Sequence, residues 1–150
     1  MRQGKLENYM EQASVAAKRS PDAETQVGSV LVKNVSGAVV ATGFNGFVRG
    51  APDHVLPATR PEKYEFMMHS EENIIYNCCK EGISTNNCTL VCTLTPCVRC
   101  TRALWQCGIT NIIAKQKYRG FDEILVLRDI KVIEETTAEG FIKLTYMGHP

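Results

Sequence analysis

The strongest constraint on this chain is the spacing of three residues that can bind a metal ion: His69, Cys97 and Cys100. Zinc prefers imidazole and thiolate ligands, and three protein ligands leave its fourth tetrahedral position open, as in catalytic zinc sites. Glu71 follows the histidine by two residues, where its carboxylate can move protons to and from a water molecule in the open position. The pattern therefore predicts a hydrolytic zinc site. The fold must bring together two segments, with 25 residues between Glu71 and Cys97.

Both halves of the zinc pattern are predicted to lie at the beginning of helices. The sequence predicts helices over residues 69–80 and 97–107, with Thr95 as the cap of the second. Because Cys97 and Cys100 are three residues apart, their sulfur atoms lie on the same side of the first helical turn. Backbone N–H groups at a helix N-terminus carry partial positive charge and stabilise the thiolate that binds metal. The three ligands meet if the two helices lie side by side on a sheet.

The remaining chain predicts an α/β domain. A helix over residues 5–18, with an apolar face at helical spacing, comes first. Two strands joined by a hairpin are expected to pair antiparallel, and the alternation of strands and helices from residue 89 onward favours parallel pairing. Residues 141–146 predict either a last edge strand or a tail packed on a neighbouring molecule. We expect a single domain over residues 1–150, a three-layer α/β/α sandwich whose five-stranded mixed sheet comprises residues 27–32, 38–43, 89–94, 111–115 and 131–135, with a short helix over residues 122–128.

A long segment without a helical or strand period precedes His69. Residues 47–64 contain three prolines and mixed charge, and the segment is longer than an ordinary connection. Two interpretations are open, a loop that carries binding groups and a solvated surface insertion. The first is favoured because loops on a rigid scaffold often hold the residues that contact a ligand.

Composition and charge favour a small substrate. Hydrophobic residues make up 44% and charged residues 22% of the chain, as in an ordinary globular protein. The formal net charge of +1 and the absence of a basic run give no surface for a nucleic-acid polymer. No segment approaches the roughly 20 apolar residues of a membrane span. The N-terminus lacks the apolar core of a secretory signal and the seven cysteines suggest no paired framework, so we expect reduced thiols and a cytoplasmic protein.

These motifs resemble a known family. His-x-Glu followed by Pro-Cys-x-x-Cys is the signature of zinc-dependent nucleoside and nucleotide deaminases. The chain is similar to the cytidine/deoxycytidylate deaminase superfamily, and most similar to its deoxycytidylate (dCMP) deaminase branch. Further matches are Val27-Gly28, the Gly-Phe-Asn-Gly segment at residues 43–46, the inserted loop before His69, and Ala-Leu three residues after Cys100. The resemblance covers residues 27–132.

The resemblance implies a cofactor, a reaction and a role for Glu71. His69, Cys97 and Cys100 would hold Zn²⁺ with a water or hydroxide in the fourth position. Glu71 would take the proton of that water, deliver it to ring N3 and then help to protonate the leaving ammonia. Attack at C4 and loss of ammonia convert cytosine to uracil. The expected enzyme is a zinc-dependent hydrolase, and the expected substrate is dCMP.

The substrate contacts are less well defined by the sequence. The resemblance implies that Asn45 hydrogen-bonds the sugar or base and that Val27 packs against the ring. A nucleotide phosphate needs cationic donors, and Arg119, just after the fourth predicted strand, is the best single choice, ahead of Arg49, Lys115 and Lys117. Relatives in this branch are homo-oligomers, commonly hexamers, and bind a nucleoside triphosphate at the Gly-x-Asn-Gly segment. The resemblance therefore implies an oligomer and regulation by dCTP or dTTP, with Mg²⁺ accompanying the regulatory nucleotide.

Two departures from the family pattern leave other functions open. Glu72 adds a carboxylate beside Glu71, and Ile74 replaces a small residue, which would narrow the pocket or change helix packing. One alternative is a deaminase for a modified dCMP, a free nucleoside or base, or a base in RNA. The other is a non-catalytic zinc-binding nucleotide sensor, which predicts a fourth protein ligand that closes the zinc site.

Overall fold

The computed structural model describes residues 2–118 and 131–149. These residues form three α-helices, a short 3₁₀-helix and six strands, and the helices and strands predicted within them begin and end within about two residues of the expected positions. In chain order they are α1 (Lys5–Ala17), β1 (Gly28–Lys33), β2 (Val39–Phe44), the 3₁₀-helix (Glu62–Glu65), α2 (Ser70–Glu81), β3 (Cys88–Leu94), α3 (Val98–Gln106), β4 (Ile109–Gln116), β5 (Val132–Thr136) and β6 (Ile142–Tyr146).

The strands form one mixed sheet in the order β2-β1-β3-β4-β6-β5. The β3–β4 pair is parallel, because α3 carries the chain back across the sheet between these strands, and the other four pairs are antiparallel. Gly28 is opposite Phe44, and Ser29 is opposite Cys92. The carboxyl ends of β2, β3 and β4 therefore lie at the same edge of the sheet, together with the amino end of β1.

The prediction of five strands is wrong, since the described sheet has six. Ile142–Tyr146 is neither an edge strand nor a tail, because it lies between β4 and β5 and pairs antiparallel with both. The chain reverses after β5 in a turn where Thr137 N donates to Phe141 O, and Gly140 adopts a φ of +88°. This turn makes β5 and β6 a hairpin, so β5 pairs with β6 at the sheet edge rather than parallel to β4.

Two further predictions from the sequence concern helices, namely a short helix over residues 122–128 and the absence of a membrane span. The helix predicted over residues 122–128 lies outside the described residues. Across residues 2–118 and 131–149, no helix combines the length and the apolar character that crossing a membrane requires.

The sheet is covered on both faces, which confirms the three-layer α/β/α arrangement. Side chains alternate between the faces along a strand, so Val30 and Leu31 of β1 enter different cores. Val30 packs with Met10 of α1 in one buried cluster. Leu31 packs in the other cluster, against Ile74 of α2 and Leu104 of α3. Helices α2 and α3 therefore lie on the same face, as the convergence of the zinc ligands requires.

The first helix lies directly on the sheet at Gly28. A Cβ atom added to this glycine would overlap the carbonyl oxygen of Ala13 and lie 2.5 Å from the backbone nitrogen of Ala17. Both obstacles are helix backbone, so a side chain at this position would push α1 away from β1. The close approach explains why a glycine begins this buried strand.

We expect Gly28→Ala to lower the free energy of unfolding by roughly 3 kcal/mol, because overpacking at a rigid contact forces the backbone to shift. Urea unfolding of the zinc-loaded protein measures this change. Gly4→Ala is the control: Gly4 is exposed, its φ is −67°, and the nearest atom to an added Cβ is a Glu7 carboxylate oxygen at 3.8 Å. A Gly28→Ala protein as stable as the Gly4→Ala protein would contradict the proposed close packing.

Candidate active site

The topology brings two helix N-termini to one edge of the sheet. Helix α2 begins beside the end of β2, and α3 begins just after β3. His69 is the N-cap residue of α2 and Cys97 is the N-cap residue of α3, both with extended backbone. The partial positive charge of both helix ends therefore faces the same site.

The cap of α3 differs from the sequence prediction. Thr95 is not the cap, because it is tied to the end of β4: its N–H donates to Gln116 O at 3.0 Å, and its hydroxyl accepts from Tyr118 N at 2.9 Å. Cys97 is the cap instead, and its Sγ accepts from the backbone N–H of Cys100 at 3.5 Å. The residue that ends the loop is therefore also the residue that offers a metal ligand.

Three potential ligand atoms converge at these helix ends. His69 Nδ1 lies 3.6 Å from Cys97 Sγ and 3.4 Å from Cys100 Sγ, and all three atoms lie within 4.8 Å of one another. Zn–N and Zn–S bonds of about 2.0 and 2.3 Å at a tetrahedral angle put such atoms roughly 3.5 Å apart. The donor types and their separations fit zinc, and His69, Cys97 and Cys100 are its ligands.

Hydrogen bonds favour a thiolate in this group. The Cys100 thiol donates to Cys97, and together with the hydrogen bonds from His69 and from the Cys100 N–H it lowers the pKa of Cys97 to about 3, although burial opposes this change. The same hydrogen bond raises the pKa of Cys100. The bond to Cys97 also raises the pKa of His69. Cys97 is thus the thiol most ready to bind a cation.

The backbone of His69 is fixed from both sides. The preceding residue, Met68, exchanges two backbone hydrogen bonds with Gly46, of 2.7 and 3.1 Å. On the other side Glu72 closes a capping box, since its Oε1 accepts from His69 N at 3.2 Å while its Oε2 accepts from the hydroxyl of Tyr76. Glu72, the additional carboxylate in the sequence, therefore orients the first turn of α2.

Glu71 has a buried carboxyl group beside these ligands. It is 4% exposed, and burial raises its pKa to about 7, against the opposing effects of its own backbone N–H and of His69. Ile74, one turn later, is fully buried in the core between α2 and the sheet and does not line the pocket. The second sequence departure therefore concerns helix packing and leaves the pocket unchanged.

A pocket opens next to the metal ligands. It encloses about 580 Å³, counting the open solvent at its mouth. His69, Cys97 and Glu71 are among the residues that line it. The remaining wall combines apolar side chains, suited to a planar ring, with polar ones: Val27, Met67, Leu94 and Pro96 on the one hand, Asp22, Thr25, Asn45, Lys63 and Thr95 on the other.

Asn45 holds the loop that forms one wall of this pocket. Its Oδ1 accepts from Val27 N at 2.8 Å, and its Nδ2 donates to Thr25 O at 2.9 Å and to Asp22 Oδ2 at 3.2 Å. The side chain is 6% exposed. Asn45 and Val27, the two residues predicted to contact the nucleoside, thus lie in the pocket wall and are joined by a hydrogen bond.

The insertion before α2 contributes to the same wall through a buried ion pair. Lys63 Nζ lies 2.7 Å from Asp22 Oδ2 and 3.0 Å from Oδ1, and the two side chains are 4% and 3% exposed. Burial opposes ionisation of Asp22, but the hydrogen bonds from Lys63 and from the amides of Thr25 and Glu24 outweigh it and lower the pKa of Asp22. Of the two interpretations of residues 47–64, this placement favours a loop that contributes to the site.

None of the residues predicted to bind the phosphate is among those that line the pocket in the described part of the chain. Arg119 lies outside the described residues, and Arg49, Lys115 and Lys117 do not line the pocket. Arg49 instead donates to Asn77 on α2. The sequence analysis assigns no role to Asp22 or Lys63, because nothing in the sequence shows that the two side chains form a buried pair. The nearest available signal was the Pro-rich insertion itself.

The zinc site has an open side. Within residues 2–118 and 131–149, His69, Cys97 and Cys100 form the one group of three or more potential ligands close enough to share an ion. In this part of the chain no fourth His, Cys, Asp or Glu joins the group, as a closed structural site would require. The arrangement supports a catalytic zinc centre over a structural one.

Comparisons with known proteins agree with this site. Residues 3–116 match the family described as the cytidine and deoxycytidylate deaminase zinc-binding region. The deoxycytidylate deaminase of Homo sapiens is 33% identical over 143 residues, which cover 91% of this chain and 79% of the human protein.

Solved structures extend the comparison to the fold. The dCMP deaminase of cyanophage S-TIM5, crystallised with dCMP and dUMP, is 30% identical with a TM-score of 0.72, over 86% of this chain and 93% of that one. The cytidine deaminase of Burkholderia pseudomallei shares the fold at 15% identity and a TM-score of 0.55, over 95% and 92% of the two chains. The chain described here therefore belongs to the zinc-dependent cytidine and deoxycytidylate deaminase family.

Proposed function

We propose that this protein hydrolyses dCMP to dUMP and ammonia. The observation that carries the proposal is the buried carboxyl group of Glu71 in a pocket that it shares with the zinc ligands His69 and Cys97. A carboxyl group in this position can transfer protons to a substrate in the pocket. The choice of a deoxynucleotide is supported by the similarity to the human and cyanophage enzymes, which are named as deoxycytidylate deaminases.

In this proposal Glu71 carries protons between water and the pyrimidine. His69, Cys97 and Cys100 would hold the zinc ion, which when bound would lower the pKa of a water molecule towards neutral pH. Glu71 accepts the proton that the water loses and donates it to ring N3 while a bond forms between the water oxygen and C4. It then moves the remaining hydroxyl proton to the exocyclic nitrogen, the C4–N bond breaks, and ammonia leaves a carbonyl group at C4.

The surrounding residues are proposed to orient the nucleotide. Val27 lines the pocket and would pack against the ring. Both N–H groups of the Asn45 side chain are used within the protein, and one lone pair of its Oδ1 is used by Val27 N. The second lone pair can accept a hydrogen bond from the nucleoside. Arg119 follows Tyr118 of the pocket wall in the sequence. It remains the residue proposed to donate hydrogen bonds to the nucleotide phosphate.

The other expectations stay predictions drawn from the family resemblance. They are a homo-oligomer, commonly a hexamer in relatives of this branch, and control by dCTP or dTTP together with Mg²⁺; a cytoplasmic location is a separate prediction from the sequence. Among the alternative substrates, a modified dCMP has the same ring and sugar, so the same pocket residues would serve it. A base in RNA is less well supported, because the net charge of +1 provides little attraction for a polymer.

The substrate assignment is tested by ammonia release from dCMP, CMP, deoxycytidine, dCTP and 5-substituted dCMP, each with zinc-loaded protein. We expect dCMP to give the highest kcat/KM, and Glu71→Gln to lower kcat by about 10³-fold because proton transfer is lost. Glu81→Gln is the matched control, since Glu81 lies on the same helix with a side chain 62% exposed.

The possible outcomes separate reaction from substrate. If another compound in the panel is the preferred substrate and its turnover also requires Glu71, the proposed reaction would stand but the substrate assignment would change. No turnover of any compound by protein that contains zinc would contradict the proposed function and support a nucleotide sensor.

Metal binding is tested separately by a pair of cysteine substitutions. We expect one zinc ion per chain, and we expect Cys100→Ser to weaken zinc binding by more than about 100-fold, because a thiolate ligand is lost outright and even its supporting partners are worth 10- to 100-fold. Competition with a chromophoric chelator measures the affinity. Cys79→Ser is the control, since Cys79 is an exposed free cysteine on α2. Equal zinc affinity in the two variants would contradict the assigned ligand set.

A further inference from the structure

We infer that Lys63 is a positioning residue for substrate binding, and that it acts through Asp22 on the side-chain amide of Asn45. This inference rests on the proposed function, and it assigns a role to the insertion before α2. Lys63 and Asp22 form a buried ion pair on the pocket wall, and neither side chain is needed for zinc binding or for proton transfer. Their hydrogen bonds show what they do instead.

Asp22 is saturated by partners within the protein. Its Oδ1 accepts from the backbone N–H groups of Glu24 and Thr25, at 2.8 and 2.9 Å, and from Lys63. Its Oδ2 accepts from Lys63 and from Asn45 Nδ2. A carboxylate that already accepts five hydrogen bonds has little capacity left for a ligand. Asp22 is therefore part of the support of the pocket and does not itself contact substrate.

The carboxylate helps to hold the Asn45 amide in place, together with the backbone groups of Thr25 and Val27. An ionised carboxylate only accepts hydrogen bonds, so the Asn45 atom beside Asp22 must be the donor Nδ2. Oδ1 is then placed on the opposite branch of the amide, where it accepts from Val27 N. If Asp22 were displaced, the amide would keep its hydrogen bonds to Val27 N and Thr25 O but lose the third, and the acceptor Oδ1 would be held less firmly in the pocket wall. Discrimination by hydrogen bonding depends on this orientation.

Lys63 keeps Asp22 ionised and in place. It approaches both carboxylate oxygens, and its ammonium group also lies 3.5 Å from Glu24 Oε1. Two carboxylates thus face this cation, and its aliphatic stem is buried with it. Arg60 strengthens the same attachment, because its guanidinium group donates to Glu24 and to the hydroxyl of Thr25. The insertion is thereby fixed to the loop whose position Asn45 controls.

The inference predicts an effect on binding that depends on Asn45. We expect Lys63→Gln to raise KM for dCMP about tenfold, the value of one well-placed hydrogen bond, with kcat within about twofold of wild type and zinc content unchanged. Lys63→Arg should restore part of the loss because it keeps the charge. Lys80→Gln is the matched control, because Lys80 is exposed on α2 and pairs only with its neighbour Glu81 among the interactions described for it.

A double-mutant cycle separates positioning from general stabilisation. In an Asn45→Ala background the orientation of the amide no longer exists, so adding Lys63→Gln should raise KM by less than about twofold. A second tenfold increase in that background would overturn the inference, since it would show that Lys63 acts independently of Asn45. An unchanged KM in Lys63→Gln would overturn it as well.

A second variant and the activity of the wild-type protein complete the test. If Lys63→Gln does not fold, Asp22→Asn takes its place, because it replaces the acceptor-only carboxylate by an amide of the same shape. We expect the effect of Asp22→Asn on KM to show the same coupling to Asn45. Additive effects of Asp22→Asn and Asn45→Ala on KM would overturn the inference. Failure of the wild-type protein to deaminate any compound of the panel would overturn the proposed function and with it this inference. If the wild-type protein turns over dCMP normally but the effects of the substitutions on KM are additive, only this inference would be overturned and the proposed function would stand.

Discussion

The structure depends on the convergence of two helix N-termini at one edge of the sheet. Because β2, β3 and β4 end at the same edge, helices α2 and α3 begin there, and their first turns present His69, Cys97 and Cys100 to one another within 4.8 Å. The unpaired N–H groups of both helices make this edge favourable for anions. Thiolates, a carboxylate and the hydroxide that the reaction needs are all negative, so the fold supplies an electrostatic environment suited to each of them.

The site was largely predictable from sequence because its chemistry is local. His69 with Glu71, and Cys97 with Cys100, are each set by spacing along one helical turn, and turn geometry does not depend on the rest of the chain. The same holds for the end of α2, where Gly82 adopts a φ of +70° as a C-terminal glycine should. Strong local rules of this kind also placed the strands of the described sheet within about two residues.

The errors arose where long-range pairing decided the outcome. Whether Thr95 caps α3 depends on β4 and the residues that follow it, since Gln116 engages the N–H of Thr95 and Tyr118 engages its hydroxyl. The position of β6 depends on the hairpin after β5 and on the free edge of β4, neither of which has a local signature strong enough to fix the strand order. Burial of Lys63 is the extreme case, because a lysine between Pro61 and an aromatic residue reads as solvent-exposed until its carboxylate partner, 41 residues away, is known.

The buried pair of Lys63 and Asp22 is better understood as a device for orientation than as a source of stability. Removing two charges from water is costly, and such pairs can often be replaced by apolar residues of similar size without loss of stability. An apolar pair would also fill the space between the insertion and the pocket loop. It would lack a group that can accept a hydrogen bond, however, and the amide of Asn45 would lose one of the three hydrogen bonds that hold it. The charge pair therefore links the inserted segment to Asn45, a polar side chain in the wall of the pocket.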